Sequence, residues 1–136
     1  ATDTICTRGL APEQISNAIR NVLDGQLAQS VIEAVGLEIT RQMAVASVAP
    51  MGRIGWLGLH TAVTQADFNH LIRQQVTTFA TYSARPEDFR DAIAALEAGS
   101  IKHFDWIKTY PLSEGAQAYA ALVDTPEQLT KAVLRP

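Results

Sequence analysis

The sequence is short of the residue types that most often announce a function. It has one cysteine, Cys6, and three histidines, His60, His70 and His103, in 136 residues. A single thiol cannot close an internal disulfide, and imidazoles so widely spaced form no zinc-ligand cluster. Cys6 is therefore expected to be buried as a small hydrophobe. Charge is scarce too: 11 Lys and Arg stand against 14 Asp and Glu, 18% of the chain where about 25% is usual. This mildly acidic, scattered balance has no basic patch to follow a phosphate backbone, which argues against nucleic acid as a partner. No run approaches the ~18 consecutive apolar residues of a membrane span, and the opening ATDTICT lacks the basic-then-apolar layout of a secretion signal. The expectation is a cytoplasmic protein with no membrane partner. Phosphate-binding and nucleophile signatures are missing as well: the sequence contains no GxGxxG, GxxxxGK[ST] or GxSxG.

Apolar residues, by contrast, reach 47%. A compact chain of this length buries roughly two-thirds of its unfolded surface, so a sizeable core is within reach. With few charges to cover the outside, either part of that surface is buried against something else or the chain is a piece of a larger protein. A start at Ala1 in place of Met is compatible with a processed or truncated product.

Apolar periodicity alternates between strand-like runs and helical spacing, which predicts an α/β architecture. Thr2 to Thr7 is a short strand candidate. Pro12 suits a first helical position, Ile15, Ile19 and Val22 share one helical face, and Gly25 ends the helix. Ser30 to Val35, closed by Gly36, has the β-branched character of a buried parallel strand. Ile39, Met43 and Ala46 mark a second helical face up to Pro50 and Gly52, and Arg53 to Leu59 is the next buried strand. Thr61 to Thr64 is expected as a short edge segment, Phe68, Leu71 and Ile72 as a brief helix, and Val76 to Tyr82 as another strand.

Beyond Ser83, Pro86 opens a helix with Phe89, Ile93 and Leu96 on its inner face, ending at Gly99. Asp105 to Tyr110 is expected to be extended. Ser113 is the expected N-cap of a helix burying Tyr119 and Leu122, and Thr125, Pro126 and Gln128 form a capping-box pattern. A last strand, including Ala132 to Leu134, runs to the terminus.

Few side chains suggest chemistry. Glu33 lies in an apolar strand, where burial would raise its pKa; a neighbouring polar group or the strand end is the alternative setting. His60 follows a strand end, the place where α/β sheets bind ligands, although a solvated loop histidine fits equally well. His70 and His103 read as surface residues. Trp56, Trp106 and Tyr119 sit at core spacings.

Three stretches, taken in order, resemble one family: VIEAVG at 31–36, MGRIGWLGL at 51–59, and YPLSEGAQAY at 110–119 followed by KAVL at 131–134. They are similar to the C-terminal part of a medium-chain dehydrogenase/reductase, the zinc-type alcohol and polyol dehydrogenase group. The resemblance covers essentially the whole chain. It implies a parent oxidoreductase in which a Rossmann domain is inserted into a catalytic domain. Residues 1–83 would be the C-terminal part of the doubly wound parallel sheet, and 84–136 the chain's return to the catalytic domain. The parent would use NAD or NADP and zinc on an alcohol or polyol substrate. The family's glycine fingerprint and zinc ligands would lie upstream of Ala1, so the resemblance implies no catalytic and no metal-binding residue here, and no activity for this chain alone.

Cofactor contacts carry over only by matching position. Ala34 and Val35 resemble positions flanking the ribose and nicotinamide side of the cleft, and Gly36 lets the backbone pass closely. Leu57, Gly58 and Leu59 resemble the strand end along the nicotinamide, Thr81 and Tyr82 the segment facing its carboxamide, and Lys131 a basic residue near the pyrophosphate. Strand packing alone would also account for the apolar members. Without the first two Rossmann strands, the strand at 30–35 becomes an open edge. Either homo-oligomerisation, for instance through the edge near Thr61 to Thr64, or a rearranged first segment is then expected. Two other functions stay open: a zinc-free quinone or enoyl reductase of the same superfamily, and a non-catalytic assembly module.

Overall fold

A computed structural model describes residues 2–101, 107–125 and 129–136. Trp106, His103, Asp105, Pro126 and Gln128, which figure in the expectations above, lie outside the described residues. The chain divides into two compact units, Ala1–Ser83 and Ala84–Pro136.

The first unit is built on a parallel sheet. Helix α1 (Pro12–Val22) begins on its proline, and the Gln14 side chain accepts a hydrogen bond from the Ala11 N–H at 2.8 Å. Strand β1 (Ala28–Glu33), helix α2 (Glu38–Ser47), strand β2 (Val48–Trp56), helix α3 (Phe68–Arg73) and strand β3 (Thr77–Ala80) follow. The sheet order is β1-β2-β3, both pairs parallel, with Val31, Ile54 and Thr78 in register. Parallel neighbours need a crossover between them, and α2 and α3 supply the two.

Alternation along the strands separates two faces. On one, Ile54 is fully buried with Ala44, Val45, Val48 and Leu71, and Val31, Trp56, Ala66 and Val76 pack against them. On the other, Gly55 lies between Ile32 and Phe79 in register; a side chain at Gly55 would come within about 3 Å of both. The α2 face differs from the expected Ile39, Met43 and Ala46. Ala44, Val45 and Ser47 are buried, whereas Ile39 is exposed and Ala46 turns toward α1, where its carbonyl accepts a 2.6 Å hydrogen bond from the Ser16 hydroxyl.

Between Ala28 and Ser30 the register jumps from Val48 to Arg53, so Ala49–Gly52 loop out, and Met51 takes φ 58° with its N–H donated to the Gln74 carbonyl. Thr2 to Thr7 form no strand, and neither do Thr61 to Thr64. Both segments lack a partner strand among the described residues, and β propensity alone does not hold an extended segment in a ladder. Cys6 is exposed, because its segment is excluded from the sheet that would have buried it.

The second unit contains helix α4 (Pro86–Glu97), strand β4 (Ile107–Pro111), helix α5 (Gly115–Asp124) and strand β5 (Lys131–Arg135). β4 and β5 pair in parallel, with Tyr110 opposite Leu134. Their core is small: Tyr110, Ala118 and Leu129, flanked by Ala121, Leu122 and Ala132. Phe89, Ile93 and Leu96 of α4 are exposed, and α4 has no buried residue. Tyr119 is exposed as well, because α5 turns Ala118 inward instead. Ser113 does not cap α5. It lies in a 3-10 turn over Leu112–Glu114, which leaves Glu114 as the cap residue.

Candidate functional site

The carboxyl ends of β1 and β2 converge on a backbone crossing. Gly36, at φ 85°, and Gly58 lie against each other. A Cβ on Gly36 would stand 2.6 Å from the backbone nitrogens of Leu59 and His60, and one on Gly58 would overlap the backbone of Val35 and Gly36. Two main chains can approach this closely only where both residues lack a side chain. The Leu57 and Gly58 N–H groups donate to the Glu33 carbonyl at 2.8 and 3.1 Å, and the Thr61 N–H donates to the Gly36 carbonyl at 2.8 Å. The crossing is thus a continuation of the β1–β2 ladder beyond the strands.

Glu33 closes the crossing from below. Its Oε1 accepts from the N–H of Val35 (2.9 Å), the N–H of Gly36 (2.7 Å) and the Thr40 hydroxyl (2.8 Å). Its Oε2 is buried and has no hydrogen-bond partner among the described residues. Burial pushes the carboxyl up, the direction expected from the sequence. The Gly36 N–H, the Thr40 hydroxyl, the Val35 N–H and the Arg41 charge together outweigh it and hold the group below its ordinary 4.5. Of the two settings that the sequence allows, the strand end with neighbouring polar groups is the one found, and the pKa is lowered, not raised.

Arg41 holds the segment that follows. Its Nη1 donates to the Thr61 carbonyl and the Thr64 hydroxyl, both at 2.8 Å, and its Nη2 to the Gly58 carbonyl at 3.1 Å. Neither Arg41 nor Thr40 was singled out from the sequence. The signal was there in part: both lie in the helix following the glycine that ends an apolar strand.

The residues singled out from the sequence fall in three places. Ala34, Val35 and Gly36, together with Leu57, Gly58 and Leu59, meet at the crossing. Gly36 and Gly58 are buried, and Val35, Leu57 and Leu59 expose apolar side chains at 54%, 41% and 75%. Thr81 lies beyond the end of β3, where its N–H donates to the Trp56 carbonyl at 3.2 Å, and Tyr82, the next residue, is exposed. Lys131 opens β5 in the second unit. The chain thus carries an exposed apolar shelf above the ends of parallel strands, the position where open α/β sheets take ligands. His60 follows it in the loop and is exposed. No group of three or more His, Cys, Asp or Glu among the described residues could hold a metal ion, so these residues do not fit a zinc site. No helix among them is long and apolar enough to cross a membrane.

A family model described as a zinc-binding dehydrogenase matches residues 3–98, running past the boundary between the units and through α4. No curated protein matches the chain. Among solved structures, the cobalt- and zinc-bound thermostable alcohol dehydrogenase from Pyrobaculum aerophilum is 25% identical, with a TM-score of 0.71 over 93% of this chain and 36% of its own. An alcohol dehydrogenase zinc-binding domain protein from Burkholderia ambifaria is 24% identical, with a TM-score of 0.78 over 99% of this chain and 36% of its own. The zinc-dependent alcohol dehydrogenase 2 from Streptococcus pneumonia is 21% identical, with a TM-score of 0.77 over 95% and 38%. These likenesses show the mixed α/β, parallel-sheet fold. The chain spans a little over a third of the length of each structure.

Proposed function

The chain belongs to the zinc-binding dehydrogenase family, and from that premise we propose that it forms the nicotinamide-side part of the nucleotide-binding domain of an NAD(P)-dependent alcohol or polyol dehydrogenase. The observation that carries this reading is the Gly36–Gly58 crossing, which sets exposed Val35, Leu57 and Leu59 at the carboxyl ends of adjacent parallel strands. Flat apolar ligands favour such a surface, because side chains of this type exclude water from one ring face. Bound nicotinamide supplies hydride exchange with the carbon bearing the substrate hydroxyl.

In this reading Val35, Leu57 and Leu59 form the floor under the ring, and Ala34 borders the adjoining ribose. Gly36 and Gly58 keep the floor low, because a larger residue at either would separate the two main chains. Thr81 and Tyr82 border the carboxamide. Zinc and the rest of the nucleotide site belong to residues other than those described, so this chain alone turns over no alcohol. The open edge of β1 favours homo-oligomerisation, and the protein works in the cytoplasm.

The decisive experiment titrates the purified chain with NADH and NADPH, following nucleotide fluorescence, in parallel with its mass in solution. Saturable binding of one nucleotide is expected. Assembly with no affinity for either overturns the nucleotide reading in favour of an assembly module. Alcohol turnover by this chain with added zinc overturns the assignment of zinc and catalysis to residues elsewhere.

A further inference from the structure

The stretch from Leu57 to Gln65 has no helix or strand of its own, yet its polar contacts share one origin. The Leu57 and Gly58 N–H groups reach the Glu33 carbonyl, the Thr61 N–H the Gly36 carbonyl, and the Gln65 N–H the Glu38 carboxylate at 3.2 Å. The Gln42 amide donates to the Gln65 carbonyl, also at 3.2 Å. Every one of these partners lies within residues 33–42, the end of β1 and the first turns of α2. Arg41 is the only one of them that grips the segment at three points, the carbonyls of Gly58 and Thr61 and the hydroxyl of Thr64.

We propose that Arg41 is a positioning residue, which fixes the height of Leu57–Leu59 over the sheet and so shapes the nicotinamide end of the nucleotide surface. This rests on the reading given under Proposed function. A guanidinium is suited to the task because its donors are set in one rigid plane. Two of its nitrogens can hold acceptors several residues apart at once, which a single ammonium on a flexible stem does not do. The Arg41 guanidinium lies near enough to Glu33 to help hold its carboxyl ionised, and that carboxylate is itself tied to the Gly36 turn. The two strand ends are therefore held against one another from the same helix. Arg41 touches no reacting atom in this scheme; it acts through the segment that it holds.

The test uses the full 136-residue chain. In Arg41→Met, amide hydrogen exchange at Thr61 is expected to accelerate about tenfold or more, the effect of losing hydrogen bonds to a charged donor, with Val31 and Ile54 unchanged. Arg41→Lys, which keeps the charge and is the milder variant for folding, is expected to behave like Arg41→Met. Unchanged exchange at Thr61, equal acceleration at Ile54, or full recovery in Arg41→Lys would each overturn the proposal.

The second readout is binding. NADH is expected to bind about tenfold more weakly to Arg41→Met, while hydrogen exchange at Val31 and Ile54 stays as in the unaltered chain. Unweakened NADH binding, or weakened binding together with faster exchange at Val31 and Ile54, overturns positioning at the nicotinamide end. If the unaltered chain binds neither nicotinamide nucleotide, the nucleotide reading fails, and hydrogen exchange alone decides whether Arg41 is the clamp.

Discussion

The two units of this chain answer the same shortage of charge in different ways. The first, Ala1–Ser83, buries Ile54 and Val48 almost completely and surrounds a buried carboxylate with donors. The second, Ala84–Pro136, buries Tyr110, Ala118 and Leu129 and leaves the apolar side chains of α4 exposed. Its charged groups illustrate the same contrast. Arg85 and Asp88 pair at 2.8 Å on the surface, and the Lys108 ammonium sits 4.9 Å from the centre of the Tyr110 ring. An exposed ion pair such as Arg85–Asp88 contributes little, whereas a buried carboxylate with several donors responds strongly to the loss of any one of them. Function in this chain is thus expected where backbone and polar groups are tightly determined, at the strand ends of the first unit.

The strongest way to break the comparison is Gly58→Ala. Its Cβ meets main chain, which cannot swing aside, so a loss of about 3 kcal/mol or more is expected in urea unfolding followed by tryptophan fluorescence. A loss below 1 kcal/mol, about the effect of an ordinary surface change, would show that the two strand ends separate freely and that the crossing is not rigid.

Glu33→Gln comes next, with an expected loss of about 1–3 kcal/mol near neutral pH from weakened charge-assisted hydrogen bonds. The pH dependence has a definite sign. Because the folded carboxyl titrates below its ordinary 4.5, its contribution is present above that value and is lost as the pH falls through the lower folded pKa. Melting temperatures of the unaltered chain and Glu33→Gln should therefore converge as the pH is lowered below 4.5. Curves that stay parallel down to acid denaturation would contradict the donor cluster around Oε1.

The smallest effects form a pair with opposite signs, one in each unit. Met51 has φ 58° and a side chain 75% exposed, so Met51→Gly removes backbone strain at no loss of packing and should stabilise by about 0.5–1 kcal/mol. Gly99, at φ 67° past the end of α4, has open space around it, so Gly99→Ala meets only the left-handed backbone penalty and should destabilise by about 1 kcal/mol. Equal signs in calorimetry would mean that one of the two turns is not left-handed.

Much of the chain was legible from its residues. Pro12 and Pro86 start the helices they announce, and the apolar runs before Gly36 and through Ile54 are adjacent parallel strands. What failed did so for a tertiary reason. Thr2 to Thr7 have strand-forming residues and no strand, because a ladder needs a neighbour as well as a propensity. Phe89, Ile93 and Leu96 have the spacing of an inner face, and spacing says which residues align, not that anything lies against them. Of the proposed site, the two glycines and their apolar neighbours were visible, while Thr40, Arg41, Thr61 and Thr64 were not. Their roles depend on which loop passes over which helix.

By itself, the sequence determined the α/β alternation, the sites of the helix starts and the family resemblance, because periodicity, proline and ordered motifs act locally along the chain. Tertiary structure alone decided that Gly36 and Gly58 meet and that Glu33 keeps its charge. It likewise decided that Arg41 reaches across to the next strand end. The glycine crossing and the Arg41 contacts join segments that the chain brings together only by pairing β1 with β2, while the donors of Glu33, two to seven residues along the chain, are aimed at it by the turn from β1 into α2. The energy of such contacts depends on distance and burial, which no linear spacing encodes.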